Sequence, residues 1–240
     1  MGGLPLRSSF STTKVTFCMS PKPSTRERIL QASLELFNAQ GERSVTTNHI
    51  AAHLEISPGN LYYYFRNKQA IIAELFDRYD VAVDGFLQVP KGRAVTMDDK
   101  TFYLESLLSA MWDYRFLHRD LEHLLGGDEA LAERYRGFAA SHLEVARRIY
   151  AGFVDAGLLH MTGAQVEAVA VNAWIVVTSW VRFLCTTGVS GECLTEPMLR
   201  RGIYQVLTLE DGFVSEHARP TFDELRRRLH VPLTELFSTI

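Results

Sequence analysis

The chain is poor in cysteine: Cys18, Cys185 and Cys193 are the only three in 240 residues, and no two of them form a C-x-x-C pair. That excludes a disulfide framework and a structural zinc site, and it points to a reducing, cytoplasmic setting. Hydrophobic alternation of period two is missing, so no sheet is expected. Also missing are the G-x-S-x-G, H-E-x-x-H, P-loop and dinucleotide-binding patterns. No catalytic residue, cofactor or metal ligand is therefore assigned, and the chain does not read as an enzyme. A general excess of positive charge is lacking too, with 25 Lys and Arg against 28 Asp and Glu. Residues 20–70 depart from that balance, carrying six Lys or Arg against four Glu, a net +2. Alone, so mild an asymmetry is weak ground for a polyanionic partner.

The first twenty residues hold no apolar run of secretory-leader length, and they are rich in Ser and Thr without helical periodicity. They are expected to be a disordered tail, with Met19 as an alternative start of translation. The most apolar window, 166–185, approaches the length of a membrane span, but Glu167, Asn172 and Arg182 interrupt it. Without a second span or a basic flank it is expected to be a helix of a soluble protein, buried on nearly all sides, and no membrane is called for.

What the chain does have is helix punctuation. Ser24 followed by Glu27 is a capping box, the stripe Ile29, Ala32, Ser33, Leu36 and Phe37 follows, and Gly41 stops the helix. Thr46-Thr47 caps a second, two-turn helix carrying Ile50, Ala51 and Leu54. Ser57 caps a third, with Pro58 at its first position and Ile56 and Leu61 spaced as a hydrophobic staple. Two short helices joined so tightly predict a helix-turn-helix. A longer helix is expected from Lys68 to before Pro90, then others over 101–125, 128–156, 162–186 and 197–214, and a last one from Thr221. The expected architecture is all-α.

The segment SPGNLYYYF, 57–65, sets four aromatic rings in a row, more than one face of a helix can bury. At 100° per residue Leu61 and Phe65 share the inner face with Tyr64 beside them, whereas Gly59, Asn60 and Tyr63 face outward and Tyr62 lies on the flank. The second helix of a helix-turn-helix presents that outer face to the DNA major groove. Gly59 admits a close backbone approach, Asn60 suits adenine N6 and N7, and Tyr63 suits a thymine methyl. Tyr62 and Tyr64 can give hydroxyl hydrogen bonds to phosphates, and Lys68 adds a charge for another phosphate.

The stretch VTTNHIAAHLEISPGNLYYYFRNKQAII, 45–72, resembles the DNA-binding segment of the TetR family of bacterial transcriptional regulators, with the recurring pattern T-x-x-x-I-A-x-x-x-G-V-S-x-x-x-L-Y-x-Y-F-x-x-K. The resemblance implies that Thr47, Asn48, Ser57, Gly59, Asn60, Tyr62, Tyr63, Tyr64 and Lys68 sit where the family contacts DNA. Glu55 occupies the turn position that is usually glycine, which implies a strained left-handed residue and a carboxylate near phosphates. Residues 111–138 are similar to a subgroup with Y-R-F-x-x-R-D-L and R-Y-R motifs. By the same resemblance the long helices form an effector cavity, and 162–186 and 197–214 pair across a twofold axis.

Other patterns carry less. HRDL at 118–121 matches a kinase catalytic loop but lacks its asparagine, which is Leu125, and its glycine loop. His118 and Glu122, four apart, are expected to be an exposed pair and not metal ligands; Cys185 and Cys193 are expected to be indifferent thiols. Trp112, Phe116, Trp174 and Trp180 either line a ligand cavity or fill a core. Asn172 and Thr178 either orient a ligand or bond to nearby backbone. Arg182, a charge on an apolar helix, needs an internal acid, a second subunit or an anionic ligand as partner.

The combined expectation is a disordered tail over 1–20, a three-helix helix-turn-helix DNA-binding domain over 21–70, and a larger helical effector-binding and dimerisation domain over 71–240. Function is expected to be that of a repressor which binds a palindromic double-stranded operator as a homodimer and is released by an unidentified small molecule. Control by a protein partner, or by no effector, is the alternative, with a helical adaptor behind it.

Overall fold

A computed structural model of the chain describes residues 23–189, 193–232 and 234; the expected tail lies outside them, as does Cys18. Helix α1, Thr25–Gln40, starts at Ser24, whose hydroxyl accepts from the Glu27 amide at 3.2 Å, and ends at Gly41 with φ of 88°. The reciprocal half of the expected capping box is replaced by an ion pair, because both Glu27 carboxylate oxygens accept from Arg78, at 2.6 and 2.7 Å. Helix α2, Thr47–His53, is capped by Thr46 with His49 answering from its third position. Helix α3, Pro58–Tyr64, is capped by Ser57, and α4, Lys68–Phe86, by Asn67.

Among the described residues the helices that follow are α5 Met97–Asp113, α6 Arg115–Gly127, α7 Glu129–Asp155, α8 Gly163–Thr186, α9 Glu196–Thr208 and the shorter α10 Arg219–Leu229. The single helix expected over 101–125 is two. Its chain breaks at Tyr114, which leaves helical dihedrals (φ −114°, ψ 30°), and buried Asn38 of α1 takes over the freed backbone groups. Its amide donates to the Asp113 carbonyl at 2.7 Å, and its Oδ1 accepts from the Phe116 amide at 3.1 Å. The helix expected over 197–214 likewise stops at Thr208 and passes through a 3-10 turn, Asp211–Phe213. Among the described residues no strand forms, only one isolated bridge between Leu159 and Val214.

Two apolar cores result. One joins α1 to α4 with α6 and α7 through Ile29, Phe37, Leu61, Phe76, Phe116 and Phe138. The other joins α5 and α7 to α10 through Met111, Phe153, Leu184, Leu199 and Phe222. Within it α8 and α9 approach closely at Gly202: a Cβ there would stand 2.5 Å from Trp180 Cδ1. The indole donates to the Met198 carbonyl at 2.8 Å across the same contact.

Helix α8 departs from expectation. It is the one helix among those described that is long and apolar enough to cross a membrane by length and composition. Yet it is not buried on nearly all sides: Val171, Ile175 and Phe183 are exposed. Val171 and Ile175 lie one turn apart on one edge of α8 and Phe183 stands roughly 120° round from Val171 at 100° per residue, so the chain alone leaves apolar surface uncovered on this helix.

Candidate nucleic-acid interface and internal cavity

The tight turn between α2 and α3 is a Schellman motif. The Ile56 amide donates to the Ala51 carbonyl at 3.0 Å and the Glu55 amide to that of Ala52 at 3.1 Å, which forces Glu55 to φ of 55°. Glu55 is the single non-glycine residue with positive φ among those described. Buried Leu61 and Phe65 then anchor α3, and the helix turns the rest of its surface outward.

Tyr63 is 82% exposed and Tyr62 50% exposed, while Asn48, Ser57, Gly59 and Asn60 are open to solvent as well. Half-buried Tyr64 props Tyr63 edge-on, the ring centroids 5.0 Å apart at 89°. The hydroxyls of Tyr62 and half-buried Thr47 lie 3.0 Å apart, tying the flank of α3 to the first turn of α2. A Cβ on Gly59 would meet nothing nearer than Ser57 Oγ at 4.0 Å. No contact inside the protein requires glycine there, although glycine inside a helix costs about 0.5–1 kcal/mol relative to alanine.

Lys68 differs from expectation. Its ammonium does not stand free for a phosphate: it donates to the carbonyls of Glu42 and Val45, each at 3.0 Å, and pairs with Glu42 Oε1 at 2.6 Å. The side chain folds inward because the Glu42 carboxylate is buried and needs a cation. Lys68 thus latches the start of α4 to the segment that precedes α2.

A cavity of about 110 Å³ opens between α4, α5, α7 and α8, with Val206 and Glu210 closing its far side. Trp174 and Thr178 stand on its wall; the Thr178 hydroxyl is spent on the Trp174 carbonyl at 2.8 Å. Trp112, Phe116 and Arg182 do not line it. Trp112 ends α5 with the Arg115 guanidinium 4.3 Å over its ring, and Phe116 is sealed in the first core against Phe37. Arg182 is exposed and pairs with Glu122, also exposed, at 3.2 Å, so its charge stands in solvent and, contrary to expectation, needs no compensating partner. Glu122 is thereby turned away from His118, which is buried, not exposed as expected, with Nε2 3.2 Å from the Tyr79 hydroxyl. Burial pushes the His118 imidazole down to about 4.

The polar part of the cavity wall was not foreseen. Lys100 and Glu210, 3% and 1% exposed, form an ion pair there, and Tyr150 donates to the other Glu210 oxygen at 2.8 Å. Burial, and then the adjacent carboxylate, push the Tyr150 phenol well above its ordinary value, so it remains a donor. The rest of the wall is mainly aliphatic and aromatic, as in Val83, Leu104 and Phe138. Such a space accepts an apolar body with a polar group at the Lys100 end.

Residues 29–75 match the family described as "Bacterial regulatory proteins, tetR family", and residues 78–222 match "Bacterial transcriptional repressor". The crystal structure of a TetR-family transcriptional regulator from Marinobacter aquaeolei VT8 aligns with a TM-score of 0.79 at 46% identity, over 87% of this chain and 100% of that one. UidR, an HTH-type transcriptional regulator of Escherichia coli K12, is 44% identical over 48 residues, 20% of this chain and 24% of that protein. An uncharacterized HTH-type regulator of Xanthobacter autotrophicus is 36% identical over 53 residues, 22% of this chain and 26% of that protein. The chain thus spans about a quarter of the length of these curated relatives.

Proposed function

The chain belongs to the TetR family of bacterial transcriptional regulators, and we propose that it is a cytoplasmic repressor whose homodimer reads a palindromic operator through α3 and leaves it when a small molecule enters the cavity. The observation that carries this is the outer face of α3: an almost fully exposed Tyr63 beside Asn60 and a Gly59 that nothing in the protein demands. An unpaired aromatic on a polar surface costs apolar hydration, which a groove would relieve. In this reading Gly59, Asn60 and Tyr63 meet base edges, and Thr47, Asn48, Ser57, Tyr62 and Tyr64 hold the flanking phosphates. Lys68 positions α4 and touches no phosphate. Residues 21–70 form the reading head, and 71–240 the sensor and dimer body.

The dimer contact is assigned to α8 and α9. The uncovered Val171, Ile175 and Phe183 support it, since exposed large apolar side chains gathered on one helix are normally buried against something. One short helix reads too few bases alone, so two related by a twofold axis are needed, with half-site centres a whole number of turns apart. The ligand is largely apolar with one polar group, matched to the Lys100, Glu210 and Tyr150 corner.

Selection of binding sites from random DNA by the full chain should return inverted repeats; an asymmetric site bound by one protomer would sink the proposal. Tyr63→Ala and Asn60→Ala should relax preference at particular bases by about 1–3 kcal/mol. A thermal-shift screen of metabolites, followed by gel shift with each hit, tests release. Coupling of about 1–3 kcal/mol would weaken operator binding roughly 5- to 150-fold.

A further inference from the structure

Asp80 and Asp84 stand four residues apart on α4, and His142 comes to them from α7. The His142 side chain is only 2% exposed, and its Nδ1 lies 2.9 Å from the Phe138 carbonyl oxygen. A carbonyl can only accept, so Nδ1 carries the proton and donates it there. Nε2 is left facing Asp84 Oδ1 at 3.1 Å and Asp80 Oδ1 at 3.9 Å, buried and without a hydrogen-bond partner. A nitrogen lone pair turned towards two carboxylates is repulsive unless a positive charge lies between them.

We propose that Asp80, Asp84 and His142 form a binding site for a first-row divalent transition metal ion such as Zn²⁺, bridging α4 and α7. The ligating atoms all lie within 4.8 Å of one another. Two ligands about 2.1 Å from a zinc ion at the tetrahedral angle are roughly 3.4 Å apart. The 3.1 and 3.9 Å separations bracket that value, so the side chains need little movement to close on an ion. The Phe138 carbonyl fixes the imidazole tautomer as an outer-shell acceptor does for metal-bound histidines. One nitrogen and two carboxylate donors suit zinc, manganese, iron or nickel better than the all-oxygen preference of calcium and magnesium. Asp84 is exposed, which leaves the remaining coordination positions to water or a further donor. Tyr79 and Val83, from the same stretch of α4, and Phe138 of α7 line the cavity, so a bound ion would fasten two of its walls together.

The test uses the full chain freed of metal by a chelator, titrated calorimetrically with Zn²⁺ and spectroscopically with Co²⁺, whose visible absorption reports its ligands. One equivalent should bind. Asp84→Asn and Asp80→Asn, at positions exposed enough to leave folding intact, should each weaken binding on the order of tenfold or more and change the Co²⁺ spectrum. Glu122→Gln, between His118 and His123, should leave both unchanged. Absence of stoichiometric binding by the unmodified chain would mean that a proton on Nε2 is the only cation the site holds, and it would overturn the proposal. So would wild-type affinity in both aspartate variants, or a loss in Glu122→Gln instead.

Discussion

Replacing Lys100 by methionine breaks the ion pair in the cavity wall and strands its partner. The Glu210 carboxylate would then keep one donor, the Tyr150 hydroxyl at 2.8 Å, in surroundings that are otherwise apolar. Removing one member of a buried pair costs about 3–5 kcal/mol, most of it the desolvation of the charge left behind. The surviving phenol bond places this case near the lower end. At roughly 2–4 °C per kcal/mol for a chain of this size, a loss of about 3 kcal/mol lowers the melting midpoint by about 6–12 °C. Glu210→Gln alone should cost a similar amount, since it strands the ammonium, whose other close neighbours are the Phe153 and Tyr150 rings at 4.3 and 5.3 Å. The double variant removes both charges. Its methionine can pack where the lysine stem lay and its glutamine can still accept from Tyr150, so it should return to within about 1 kcal/mol of the parent. Urea unfolding at one fixed chain concentration measures all four proteins, the concentration being held because any self-association would add to apparent stability. If the two single costs simply add in the double variant, Lys100 and Glu210 do not act as a pair and the polar corner is misassigned.

Glu55→Gly should raise stability by about 1 kcal/mol, because φ of 55° strains any residue with a Cβ, and it should tighten operator binding by removing a carboxylate. An unchanged melt would deny the strain. His118 stays neutral in the fold down to about pH 4, whereas the unfolded chain takes up a proton near 6.5, so its share of stability is complete above 6.5 and is lost as the pH falls towards 4. By pH 5 that loss is about 2 kcal/mol, read as the extra drop in urea stability between pH 7 and 5 relative to His118→Gln; equal drops would refute it. Asn38→Ala should cost about 2 kcal/mol or more, since it strands the Asp113 carbonyl and the Phe116 amide, and the Phe116 amide should exchange its hydrogen faster. Unaltered exchange there would show that Asn38 does not hold the break between α5 and α6.

Sequence spacing revealed what depends on near neighbours. Ser24, Thr46 and Ser57 cap helices as read, because a cap bonds an amide three residues on. The outward face of α3 was legible for the same reason, helical phase being local. Distant partners were not. The break at Tyr114 comes from Asn38, 75 residues before Asp113, and nothing at 113–116 announces it. Lys68 was read as a free cation because its acid, Glu42, lies on an earlier turn. Lys100 and Glu210, 110 residues apart, each look like a surface charge when met alone. For Trp174 and Phe116 the sequence left cavity and core equally open, because periodicity does not say which apolar face borders a void. For α8 composition gave the apolarity correctly, but it cannot tell whether the cover is the chain's own core or a second copy. The cluster of Asp80, Asp84 and His142 was not read from the sequence, because it joins α4 to a distant turn of α7.

Glu42, which precedes α2, is held from two sides, by α6 and by α4, beside the other ties that α1 makes through Glu27 to Arg78 and through Asn38 to Asp113. At α6 the Arg119 guanidinium donates to the Phe37 carbonyl at 2.6 Å, closing the open end of α1, and Asp120 accepts from the Glu42 amide at 3.2 Å. This is the structural use of the RD in HRDL, whose resemblance to a catalytic loop is accidental. At α4 the Lys68 ammonium takes the Glu42 carbonyl and carboxylate together. Helix α4 also carries Tyr79 and Val83 into the cavity wall, so its ends report to different parts of the molecule. A ligand that displaced α4 relative to α6 would pull the two fastenings of Glu42 apart. The strain would fall on residues 42–45, directly before the Thr46 cap of α2. The apolar core packs α1 to α4 against Phe116 of α6 and Phe138 of α7, so such a displacement would be shared across it, because close-packed interiors shift as units. Under the proposed dimeric reading, α1 to α3 would then move together as one packed body with α4, which would alter the separation of the two recognition helices and leave each of them intact.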